Sequence, residues 1–131
     1  MAISTTCRRF AEILGGTPSV SNGVCVSTRL RTFTARILGR RSRSPLVLPQ
    51  LFSFESADSQ GRTLNLGETV ILQREINRFI SVLRQQNIIV TALHNHWLFD
   101  TPRLMYIHFE SVEPPLVFAR KVAKALATLD C

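Results

Sequence analysis

Residues 103–110 place Met105, Ile107 and Phe109 on one parity and Leu104, Tyr106, His108 and Glu110 on the other, the period-two signature of a strand with one buried face. Upstream, residues 88–96 open on the β-branched run Ile88-Ile89-Val90 and end in His94-Asn95-His96. The connection, residues 97–102, has the length of a hairpin loop. This pair commits the chain to an antiparallel sheet, and whatever covers its apolar face must come from the rest of the 131 residues.

Two amphipathic stretches supply that cover. Ile76, Phe79, Ile80 and Leu83 form one stripe of a helix predicted over residues 72–86, ended by Asn87. Leu116, Ala119, Val122, Ala123 and Leu126 form another, opened by Pro114-Pro115, with Arg120, Lys121 and Lys124 toward water. A short N-terminal helix ends at Leu14, with a threonine as cap and Gly15-Gly16 as stop. A loop at Thr17-Pro18 follows, then strands over residues 24–31 and 32–38. Residues 40–44, Arg-Arg-Ser-Arg-Ser, read as an exposed loop, and residues 46–48, between Pro45 and Pro49, as an irregular segment. Residues 51–55 and 62–66 read as a further hairpin. The expected class is α+β in one domain over residues 1–131: a mostly antiparallel sheet with about three helices packed on it.

Composition narrows the function classes. With 45% hydrophobic and 19% charged residues the chain is ordinary for a folded domain rather than a disordered one. No apolar run approaches the ~20 residues of a membrane span, and the first residues lack the apolar block of an export signal. Cys7, Cys25 and Cys131 are odd in number and lack C-x-x-C spacing, so free thiols and a cytoplasmic location are expected. The excess charge of +7 lies wholly before Glu55, where eight arginines face Glu12 alone. Arg29 and Arg31 could form a ladder toward nucleic acid, but Phe33 is the only aromatic residue inside the basic stretch, so a solubilising face is the default and nucleic acid the weaker expectation.

All three histidines belong to the hairpin. If His94 lies opposite His108 and His96 opposite Tyr106, three imidazoles share one face, a donor set suited to a divalent transition metal such as zinc. Glu110 or Glu55 would be further ligands or acceptors for the ring N–H groups. A shift of register by one residue would separate them. Without a metal the cluster could bind an acidic ligand or move protons. Trp97, Leu98 and Phe99 are unusually apolar for a turn and would cap the core or wall a pocket. Arg103 could pair with Asp100 or Glu75, or hold an anion at the rim. No P-loop, G-x-G-x-x-G or Ser-His-Asp order is present.

The segment TALHNHWLFDTPRLMYIHF resembles the signature of the LppY/LpqO-like domain family, whose role is unknown, through Thr91, Ala92, Leu93, His94, Asn95, His96, Pro102, Arg103 and His108. The likeness extends to Gly67-Glu68, Leu72, Glu75 and Asn77 and is strongest over residues 64–128. It differs at Ser111-Val112-Glu113-Pro114-Pro115, where a Gly-rich segment is usual, and there is no lipobox at Cys7, although many such relatives are exported lipoproteins. The resemblance implies an α+β domain, gives Asn95 a place beside the histidines, and implies a homodimer, because such relatives often carry the domain twice. It supplies no reaction.

Three functions follow as expectations. The first is a small metal- or ligand-binding module using His94, Asn95, His96, Arg103, Tyr106, His108 and Glu110. The second is a metal-dependent hydrolase on the same histidines, since three protein ligands leave a coordination position open. The third is a dimerising interaction module with a basic surface.

Overall fold

The computed structural model describes residues 2–130. Helix α1, Thr5–Leu14, begins where the Ser4 hydroxyl accepts from Cys7 N–H at 3.0 Å, and ends at Gly15, whose φ of 73° is the left-handed stop that glycine adopts freely. Nine strands follow: β1 Thr17–Ser21, β2 Val24–Leu30, β3 Ala35–Ile37, β4 Arg40–Ser42, β5 Pro49–Glu55, β6 Thr63–Leu72, β7 Ile89–Asn95, β8 Asp100–Thr101 and β9 Leu104–Glu113. Helix α2, Ile76–Gln85, lies between β6 and β7 behind a 3-10 turn at Gln73–Glu75, and α3, Pro115–Leu126, closes the described chain. The main sheet runs β1-β2-β5-β6-β9-β7, antiparallel throughout, and β4-β3-β8 form a second, smaller sheet. The class is α+β, as expected.

The helices cover one face of the main sheet. Phe10 of α1 meets Phe54 and Phe118, and Phe109 of β9 meets Phe52, Phe79 and Phe118, so aromatic rings from every layer share one core. Gly67 belongs to this face. A Cβ there would lie 2.2 Å from the Phe109 ring, so glycine lets the ring lie against β6. On the opposite face a second core gathers Ala35, Val47, Leu48, Val70, Leu72, Leu104 and Tyr106 under the small sheet, with Trp97 at its edge. The remainder of that face stays open, with Leu51, Leu64, Leu66, Ile89 and Val112 exposed.

Several local expectations are corrected. Cys7 and Cys25 form a disulfide, not free thiols: Cys7 lies on the buried stripe of α1 and Cys25 on the helix-facing side of β2, which brings their Cα atoms to 5.7 Å. Cys131 lies outside the described residues. Thr17-Pro18 is the start of edge strand β1, where a proline is tolerated, and not a loop. The predicted strand over 32–38 shrinks to β3, in the small sheet, and β4 takes the first part of the expected Arg-Ser loop. Strand β6 runs on to Leu72, and Glu75 then turns the chain by accepting from Leu72 N–H at 2.8 Å, so the helix begins later than its apolar period suggests. Arg31 is buried against Glu75 and cannot join Arg29 in a ladder for nucleic acid.

Candidate functional site

The histidine hairpin forms with a register two residues away from the expected one. His94 pairs with Tyr106 and Ala92 with His108; an extra residue, Thr91, bulges between Val90 and Ala92 and shifts the pairing by one, without which His94 would lie opposite Met105. Val90 points into the helix-covered core with Phe109, whereas Ala92 and His94, of the same parity, emerge on the opposite side. An even offset preserves the shared face. His94 and His108 therefore meet diagonally, ring centroids 5.1 Å apart, over the small Ala92.

Their nitrogens converge. His94 Nε2 lies 3.0 Å from His108 Nε2, while His94 Nδ1 lies 2.9 Å from the Asn95 carbonyl oxygen. A carbonyl only accepts, so His94 carries its proton on Nδ1 and offers a lone pair from Nε2. His108 Nε2–H is the donor that this lone pair meets. His108 Nδ1 then faces Glu68 Oε1 at 3.6 Å, too long for a hydrogen bond. Glu68 is brought there by β6, where it lies directly across from His108. It is the residue that sequence reasoning missed. Glu55 and Glu110, the carboxylates expected near the rings, pair across the sheet with Leu64 and with Leu66 and Ile89, and among the described residues the one carboxylate within ion-pair reach of a histidine is Glu68.

The remaining candidates divide. His96 follows the end of β7, exposed, with its ring 5.7 Å from that of His94 and edge-on to Trp97 at 4.9 Å. Tyr106 is 2% exposed and lies beneath both rings, 6.2 Å from His94 and 5.2 Å from His96. Its hydroxyl donates to the Val47 carbonyl at 2.7 Å and accepts from Trp97 Nε1–H at 2.9 Å. Burial pushes the Tyr106 hydroxyl up to about 12, so it stays protonated and supports the site without reacting. The Asn95 side chain pairs on the Met105 side of the strand, so Asn95 contributes its carbonyl. Arg103 pairs with Asp100 at 3.7 Å; Glu75, its other expected partner, belongs to Arg31. Among the described residues no group of three or more His, Cys, Asp or Glu side chains is arranged to hold a metal ion.

A groove of ≈ 340 Å³ adjoins the pair, lined by Val26, Leu51, Ser53, Leu66, Glu68 and His108. Its walls are mostly apolar, and its ionisable groups are the Glu68 carboxylate and the His108 imidazole.

The sequence matches the family described as Domain of Unknown Function (DUF1259) over residues 8–128. The chain belongs to this family. The match takes in most of α1, the main sheet and all of α3, so the histidine face and its supporting strands all fall inside the family's domain. Searches among curated proteins and among solved structures returned no match. No helix is long and apolar enough to cross a membrane among the described residues.

Proposed function

We propose that the open sheet face around His94 and His108 binds a divalent transition metal, with zinc as the first candidate, and a small ligand in the adjoining groove. The observation that carries this reading is the Nε2 pair 3.0 Å apart, each ring turning its Nδ1 toward an oxygen, that of Asn95 or of Glu68. A metal-bound imidazole uses one nitrogen for the metal and directs the other N–H at a carbonyl or carboxylate; His94 has this arrangement, and His108 takes it in the tautomer that moves its proton from Nε2 to Nδ1, facing Glu68. Two nitrogens on one tetrahedral zinc stand about 3.3 Å apart, so a separation of a few tenths of an ångström opens the position. Exposed His96 completes a three-nitrogen set by rotation of its side chain, with Arg103 at the loop and Glu110 one pair further along β9 available to a bound ligand.

Calorimetric titration of metal-stripped protein with zinc, copper, nickel and ferrous iron tests this. Wild type is expected to bind at a single site, His94→Ala and His108→Ala to lose it, and Glu68→Gln to weaken it about 10–100-fold. Affinity is expected to fall with acidification, because protons compete for the same lone pairs. Absence of binding by all four metals, or equal affinity in the histidine variants, overturns the proposal.

The motif in residues 91–109 supports placing the chain in the LppY/LpqO-like branch of its family, as a single domain. Exposed Leu51, Leu64, Leu66, Ile89 and Val112 on the open face support a second copy of the chain as a partner. Sedimentation should then detect a dimer that Leu66→Ser dissociates. The Cys7–Cys25 bridge supports an oxidising compartment in place of the cytoplasmic expectation.

A further inference from the structure

The small sheet and the hairpin loop end together in an apolar tip. Leu38, in the turn between β3 and β4, is 72% exposed, and Leu98 and Phe99, in the loop after β7, are 70% and 76% exposed. Leu38 N–H donates to the Phe99 carbonyl at 3.0 Å, so these are two sides of one protrusion. Neither turn needs these side chains. Leu38 and Phe99 hold φ values of 53° and 58°, where bulky residues are disfavoured, and Leu38-Gly39 occupies a two-residue turn of the kind that asparagine-glycine serves best.

The tip is surrounded by unneutralised positive charge. Arg36 and Arg41 are direct cross-strand partners, a like-charge pair that the small sheet must hold against repulsion. Arg36, Arg40, Arg41 and Arg43 are all exposed and form no ion pair among the described residues. Asp100, the one carboxylate in these two loops, is turned inward, its side chain 2% exposed and accepting from Leu104 N–H at 2.7 Å.

We infer that this tip docks the protein on the surface of an anionic lipid bilayer: Leu38, Leu98 and Phe99 enter the headgroup boundary while the arginines meet lipid phosphates. The two chemistries, apolar point and cationic collar, match the two layers of such a surface. A nucleic acid would satisfy the arginines and leave Leu38 and Leu98 in water. Docking would hold His96, two residues before Leu98 in the same loop, and with it the histidine face, close to the bilayer.

Flotation of the full chain with phosphatidylcholine vesicles, with and without phosphatidylglycerol, tests this. Binding is expected only to the anionic vesicles and should weaken steeply with added salt. Leu38→Asn/Phe99→Asn places at both positive-φ positions a residue that tolerates them, so this variant is expected to keep its thermal midpoint and bind about 100-fold more weakly. Arg36→Gln/Arg41→Gln is expected to lose about 25-fold. Failure to float with anionic vesicles, or equal flotation of the folded apolar-tip variant, overturns the proposal. So does binding of a DNA duplex by the full chain without flotation, which would assign the arginines to a nucleic acid. A Leu38-dependent dimer without flotation would assign the tip to a second copy instead.

Discussion

Arg31 and Glu75 form a bidentate pair at 2.8 Å, both nearly removed from water, and Glu75 also accepts from Leu72 and Asp130 N–H. Burial alone would raise the Glu75 carboxyl, but the hydrogen bonds from Arg31, Leu72 and Asp130 and the Arg31 charge outweigh it and hold the group below its usual range. Glu75 therefore binds a proton more weakly folded than unfolded, so its contribution is complete above the unfolded carboxylate range and vanishes as pH falls through the depressed folded value. Urea midpoints measured down an acid pH series should show this loss in wild type and a flatter profile in Glu75→Gln. Glu75→Ala should cost about 3–5 kcal/mol, since it leaves the Arg31 charge buried without its partner. At the same scale, Tyr106→Phe strands the Val47 carbonyl and the Trp97 N–H, and should cost about 1–3 kcal/mol in urea unfolding while leaving metal affinity nearly intact. The histidines were legible as residues because their parity is visible in the sequence. Glu68 was not: the strand predicted to end at Leu66 in fact continues to Leu72, and only that extension sets Glu68 against His108.

Elements carried by period were legible, and those carried by pairing partners were not. The stripes of α1, α2 and α3 and the alternation of β9 each announce a buried face within their own residues. Strands β1, β3, β4 and β8 are two to five residues long and owe their existence to a neighbour's free edge, which no local pattern records. The disulfide has the same origin, because α1 and β2 reveal their adjacency only once the helix has docked. It closes a loop between positions 18 apart, so Cys7→Ser/Cys25→Ser should lower unfolding free energy by about 3 kcal/mol in the chain-entropy account, measured under non-reducing conditions. Gly67→Ala forces a methyl group into the Phe109 ring and should cost about 1–3 kcal/mol, read from the thermal midpoint.

For the whole molecule, the +7 charge and the histidine cluster were each visible in the sequence, but not that both loops converge on one side of the sheet. That convergence depends on β8, which ties the hairpin loop to β3. It also depends on Thr91. The bulge there works as a phase change along β7: before it, even-numbered positions belong to the interior; after it, to the exterior. Chain length is thus part of the site's encoding, alongside side-chain identity. A protein lacking Thr91 alone would keep every imidazole and carboxylate and yet turn His94 inward toward the phenylalanines, so a deletion with no chemistry of its own should silence the face that Thr91→Ala leaves intact.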